Sequence, residues 1–197
     1  PVIGTLNGFS KPIRNIEVVR STRTDKGGKE YNEEFWDEES KIWVIKVGDS
    51  AEAWAKSIGK LLAGKYPANT LVLDFSELRP AGERLTGYGW ISSGDTAISK
   101  AYLAIANILN GRADSLLTRM DILDIVNWLG TILSSRRSAE IALFEYGQPE
   151  WEEFAVAKKD FWLYDRAHRT QSNNSLVFND KPTRQELSDI FALMQEA

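Results

Sequence analysis

The 197-residue chain has no cysteine and a single histidine, His168. Without thiols, a disulfide framework, cysteine-ligated zinc and every thiol-based reaction are excluded within this chain. One histidine excludes a histidine-rich metal site, and any serine–histidine triad would have to use that residue. No apolar run approaches the roughly 18 residues of a membrane helix. A net charge of −4 and a pI near 5.2 leave no basic footprint for nucleic acid. The chain opens at Pro1 with no Met, signal peptide or transit peptide, which is expected of a piece excised from a longer product.

What remains is ordinary globular material, 43% hydrophobic and 26% charged, enough for one domain or a large part of one. Residues 1–48 read as an extended and hairpin lead-in, and 49–197 as α/β layers, within a single partial domain. In the lead-in, 13–23 is rich in β-branched residues, 26–29 is a turn signal and 41–47 alternates as a strand. The acidic stretch 32–40 lacks calcium-loop spacing and reads as a solvated hairpin edge. A helix is predicted over 50–63, with Ser50 as N-cap and Gly64 as stop. The apolar run 69–75 predicts a strand covered on both faces. Strand, helix, strand in this order predicts an α/β fold. Further helices are expected over 95–110, 115–133, 149–158 and 182–195, and strands over 139–144 and 176–178.

Three segments carry candidate chemistry. Arg79 to Gly94 (RPAGERLTGYGWISSG) holds Gly82, Gly87, Gly89, Ser92 and Ser93 and leads into a helix N-terminus. Such a loop can turn backbone N–H groups toward a phosphate, although the spacing is neither the Walker nor the dinucleotide pattern. A simple crossover turn is the alternative. The second segment, SSRRSAE at 134–140, sets Arg136 and Arg137 between a helix and a strand. There one guanidinium would clamp a phosphate or stack on a base while the other pairs, or both would pair with nearby carboxylates. In the third, Ser172, Asn173, Asn174 and Ser175 offer amide and hydroxyl groups before a strand, or simply make a turn. His168, between Arg166 and Arg169, reads as a surface residue.

Taken in order, LDFSELRPAGERLTGYGWISSG, ILDIVNWLGTILSSRRSAEIAL and SNNSLVF resemble the adenosylcobalamin-dependent (class II) ribonucleotide reductases, chiefly the monomeric type that reduces ribonucleoside triphosphates. The resemblance covers roughly 69–179, with RRSAEIA and SNNS as its specific parts. It implies part of the N-terminal half of a ten-stranded α/β barrel, incomplete in this chain. It also implies that Arg79–Gly94 is the first loop reading a deoxynucleoside triphosphate effector. Ser135, Arg136, Arg137, Ser138 and Ala139 would form the second, between effector and substrate base. Ser172–Ser175 would lie near the barrel interior. Tyr88-Gly89-Trp90, Thr86 and Ser134-Ser135 depart from the family pattern at these loops. Monomeric members carry an insertion that stands in for a dimer partner.

The family reduces ribonucleotides through a cysteine thiyl radical, with adenosylcobalamin as cofactor and a thioredoxin-type reductant, in the cytoplasm. The resemblance thus implies an oxidoreductase in the full-length protein, with no catalytic residue and no metal ligand in this Cys-free chain. Neither nucleic acid nor membrane is expected as a partner. The alternative is a stand-alone, Cys-free nucleotide-binding module. A hydrolase using Asp74 and Glu140 is disfavoured because nothing spaces the two as a pair.

Overall fold

The computed structural model describes residues 6–86, 91–132 and 140–195. The chain divides into two compact units, Pro1–Leu117 with Thr131–Ser135, and Thr118–Gly130 with Arg136–Ala197.

The first unit is a four-stranded sheet with helices. Its strands are β1 (Asn15–Val19), β2 (Glu33–Asp37), β3 (Ile42–Lys46) and β4 (Thr70–Asp74), in the order β1-β4-β3-β2. β4 pairs in parallel with β1 and β3, while β2 and β3 form an antiparallel hairpin. β3, from the lead-in, and β4, from the layers after it, pair along their length in this one sheet. β4 is apolar because it is central; its exposure nevertheless alternates, with Leu71 and Leu73 fully buried and Thr70, Val72 and Asp74 half-buried. Coverage on both faces was the expectation, but the second face is only partly shielded.

Helix α1 (Ala51–Ala63) starts where Ser50 accepts a hydrogen bond from the Ala53 N–H and stops at Gly64 in the left-handed region. Both caps were legible in the sequence. Ser50→Ala is expected to lower stability by about 1 kcal/mol, read as a shift of the urea midpoint with unchanged slope. Helix α2 (Thr96–Gly111) packs on β1 and β4 and meets α1. Between helices and sheet, Trp43, Ile45, Leu61, Phe75, Ile98 and Ile105 are fully buried. Tyr102 joins them, its ring edge-on to Phe75 and its hydroxyl donating to the Trp54 carbonyl at 2.9 Å. Burial pushes that phenol's pKa upward.

The second unit contains α3 (Arg119–Gly130), β5 (Glu140–Glu145), α4 (Trp151–Ala155), a 3-10 turn (Ala167–Gln171), β6 (Ser172–Val177) and α5 (Arg184–Gln195). β5 and β6 pair in parallel. Met120, Leu123, Phe154 and Ala157 form its core, with Ala142, Phe144 and Leu176 packed on them. Phe144 and Phe154 stack at 4.9 Å. Helix α3 is shorter than the periodicity predicted. An Asn7–Leu116 bridge and the Leu117 N–H to Leu6 carbonyl bond draw 116–117 into extended pairing, so the helix begins later. No helix among the described residues is long and apolar enough to cross a membrane.

Candidate functional site

In the first unit the parallel strands direct the carboxyl ends of β1, β3 and β4 to one sheet edge, where open α/β sheets hold their ligands. Two buried carboxylates organise this edge. Glu77, 8% exposed, accepts from Lys46 Nζ at 2.9 Å, Arg23 Nη2 at 3.0 Å and the Lys29 N–H at 2.8 Å. The Lys46 bond, seconded by the Lys29 amide, holds its pKa at about 2. Asp49, also buried, accepts from Arg79 Nε at 2.8 Å. The Gly27–Gly28 turn lies directly on both: a Cβ on Gly28 would stand 1.7 Å from Glu77 Oε2, and one on Gly27 1.7 Å from Asp49 Oδ2. Arg79 therefore latches the start of the glycine loop to the end of β3.

The loop itself folds as a small hairpin closed by an Arg84–Ile91 bridge. Three of its amides are spent internally: Gly82 N–H to the Ser92 carbonyl, Ser92 N–H to the Glu83 carbonyl and Gly94 N–H to Ser92 Oγ. Gly82 and Gly94 have φ of 94° and 66°, and at Gly94 a Cβ would also press on Ala81. Ser93 Oγ donates to the Ile132 carbonyl at 2.9 Å. At the α2 N-terminus Asp95 takes Arg20 Nε and the Ser21 N–H, both at 2.7 Å. These pairings hold the loop's stem; its tip, with Gly87, Tyr88, Gly89 and Trp90, lies outside the described residues.

In the second unit the pairing register is Glu140 with Ser172, Ile141 with Asn173 and Leu143 with Ser175. The period-2 alternation divides the Ser-Asn-Asn-Ser segment. Asn173 and Ser175 are exposed on the same face as Ile141 and Leu143, which are 75% and 66% exposed. Ser172 and Asn174 turn inward, and the Ser172 hydroxyl donates to Asn174 Oδ1 at 2.6 Å. A groove of 330 Å³ runs beside β5, lined by Ile122, Val126, Leu143 and Phe144 among others. It is apolar apart from Arg119. Ser135, Arg136, Arg137, Ser138 and Ala139 lie outside the described residues.

His168 is not at the surface. It is 7% exposed, with Nε2 2.7 Å from Asp124 Oδ1 and its ring stacked 4.4 Å from Trp128. Arg169 grips the same carboxylate with Nε at 2.7 Å and Nη2 at 2.8 Å. Burial alone would raise the Asp124 pKa, but the bonds from Arg169 and His168 hold it at about 2. Local reading missed this cluster because its members are 44 and 45 residues apart. The one sequence signal was the His-Arg pair just before the Ser-Asn-Asn-Ser segment.

Residues 19–109 match the family model "B12-dependent ribonucleotide reductase, insertion domain". A Lactobacillus acidophilus adenosylcobalamin-dependent ribonucleoside-triphosphate reductase is 33% identical over 150 residues, covering 71% of this chain and 20% of its own length. The same-named protein of Lactobacillus helveticus is 30% identical over 205 residues, covering 88% of this chain and 27% of that one. A crystal structure of a B12-dependent (class II) ribonucleotide reductase superposes with a TM-score of 0.63 at 25% identity, over 87% of this chain and 24% of that one. The α/β layers are thus those of a segment of a ribonucleotide reductase. More closely, the chain belongs to the adenosylcobalamin-dependent, class II family. It spans 20% and 27% of those two curated relatives. The insertion-domain match takes in the whole glycine loop and ends before α3.

Proposed function

We propose that this chain supplies the nucleotide-reading part of an enzyme that converts ribonucleoside triphosphates, or diphosphates, to 2′-deoxyribonucleotides. The observation that carries the reading is the β5–β6 pair. It begins with Glu140 beside Ser172, so the strand entered from the Arg136–Arg137 segment lies against the Ser-Asn-Asn-Ser strand, with Asn173 exposed. Arg136 and Arg137 would meet effector phosphate or substrate base, and Asn173 with Ser175 would offer hydrogen bonds toward the substrate. Arg79, Gly82, Ser92, Ser93 and Gly94 support the other effector-reading loop, with Arg79 acting through Asp49.

The thiyl radical and the electron-donating thiols lie outside this Cys-free chain. Adenosylcobalamin supplies the radical chemistry when bound. The apolar groove beside β5 is too small for a corrin with its nucleotide tail, and no residue described here is assigned to the cofactor. A thioredoxin-type reductant and a cytoplasmic setting complete the reading.

The test is direct titration of the chain with each of the four deoxynucleoside triphosphates. Arg137→Ala is expected to weaken the tightest of them about tenfold or more, the worth of a charge-assisted phosphate contact. No binding by the unaltered chain, or equal binding by the variant, overturns the reading.

A further inference from the structure

We propose that Asp124, Arg169 and His168 are positioning residues that set where the Ser172–Ser175 strand starts relative to α3, and so hold the two flanks of the Arg136–Arg137 segment at a fixed separation. This rests on the reading of those segments as nucleotide-recognising.

The chain closes a circuit around this segment. Helix α3 ends at Gly130, and β5 begins at Glu140 after the segment with the paired arginines. Glu140 is in register with Ser172, the first residue of β6. The 3-10 turn Ala167–Gln171 runs straight into Ser172, and its His168 and Arg169 are fastened to Asp124 back on α3. The helix before the paired arginines and the strand after them are thereby joined a second time.

This second connection is directional. Apolar contacts also join α3 to the strands, from Met120 and Leu123 to Ala142, Phe144 and Leu176, and the Arg119 guanidinium lies over the Phe144 ring at 5.8 Å. Apolar contact resists separation but is indifferent to small slides along the helix. A guanidinium fork on a carboxylate has one good geometry. Here both oxygens of Asp124 are engaged by Arg169, whose third nitrogen, Nη1, donates to the Ala157 carbonyl at 2.9 Å. Arg169 thus ties α3 to the chain leaving α4. His168 adds a second bond to the same carboxylate. An ionised carboxylate cannot donate, so its Nε2 carries the proton, and the Trp128 stack fixes the ring plane. The side chains of His168 and Arg169 are 7% and 9% exposed, so water does not compete.

Position then passes along β6. The Lys158 ammonium holds the Ser172 carbonyl, and the Ser172 hydroxyl bonds Asn174. A shift of the turn moves Ser172, and with it Asn174 and the exposed Asn173.

Hydrogen exchange on the 197-residue chain, unaltered and as Arg169→Lys and Asp124→Asn, tests the proposal. Lysine keeps the charge but loses the fork; asparagine keeps the shape but loses the charge. Arg169→Lys and Asp124→Asn are each expected to speed exchange of the 172–177 segment at least tenfold. Exchange in α5 should rise less than over 172–177, and exchange in the β3–β4 pair should be unchanged. Unchanged exchange over 172–177, or an equal rise throughout α3, α4 and α5, would overturn the proposal, the latter showing general stabilisation only. The same proteins are titrated with dATP and dTTP. Weaker binding by Arg169→Lys, by fivefold or more at an unchanged melting temperature, supports the link to recognition; equal binding with altered exchange overturns it. If the unaltered chain binds neither nucleotide, the nucleotide reading fails, and exchange alone decides whether the clamp exists.

Discussion

Asp124→Ala is expected to unfold the second unit at markedly lower urea than the parent. The substitution strands the Arg169 guanidinium, 9% exposed, without its carboxylate and leaves the buried His168 Nε2 without a partner. Breaking one side of a buried ion pair costs about 3–5 kcal/mol, because the remaining charge stays out of water uncompensated. A small unit has only about 5–15 kcal/mol in total. The check is residue-resolved urea unfolding by NMR, with amides of β5, β6 and α3 set against those of β3 and β4. Equal midpoints in parent and variant for the second unit would contradict the account.

The same carboxylate predicts a pH dependence of definite sign. Its folded pKa is about 2, below the ordinary 3.8. A depressed carboxyl stabilises the fold fully above its unfolded value and loses that stabilisation as pH falls toward the folded one. Asp124 should therefore contribute about 2 kcal/mol above pH ~5, declining to nothing near pH ~2. Asp124→Asn should flatten that slope in the second unit alone. Glu77, depressed for the same kind of reason, leaves the first unit's slope in place.

Gly48→Ala should be the most damaging glycine substitution tested near the carboxyl edge of the first sheet. A Cβ there would stand 2.6 Å from Tyr31 N and C and 2.7 Å from Glu30 C, all backbone atoms with no side chain to swing aside. The Gly48 N–H bonds Asn32 Oδ1 at 2.8 Å, and the Asp49 N–H bonds the Lys29 carbonyl at 2.8 Å. Pushing 30–32 away loosens both bonds and tilts Asp49 off Arg79. Overpacking of this kind costs about 1–3 kcal/mol before the Arg79 latch is counted. Gly59→Ala is the control, since a Cβ inside α1 meets nothing within 4 Å. Replacing that helix glycine should stabilise by up to about 1 kcal/mol. Opposite shifts of the thermal midpoint are expected; a stabilising Gly48→Ala would mean the close approach is absent.

Much of the architecture was legible from local pattern. The 3.6-residue repeat of α1 and α2, the serine cap and glycine stop of α1, and the alternation of β3 are short-range signals, and each element stands within a residue or two of its expected place. Strand β6 was not legible in full. The expected strand covered 176–178, whereas β6 is Ser172–Val177. Serine and asparagine have poor strand propensity, and parallel pairing with β5 overrides it. Helix α4, expected over 149–158, is only Trp151–Ala155. The loop at 79–94 was legible as glycine-driven, with free amides or a simple turn as its two readings, and the amides of Gly82, Ser92 and Gly94 close the hairpin.

The sequence by itself determined the absence of thiol chemistry, the α/β class and the reductase family, since composition, periodicity and ordered motifs need no knowledge of distant neighbours. Tertiary structure alone decided which charges are buried and what they hold. His168 and Arg169 look like surface residues in a polar run until α3 brings Asp124 and Trp128 against them. Arg79 gains its carboxylate partner only when the turn after β3 brings Asp49 against it. Local preferences act over a few residues, whereas a buried charge is tolerated only where a distant segment delivers its partner.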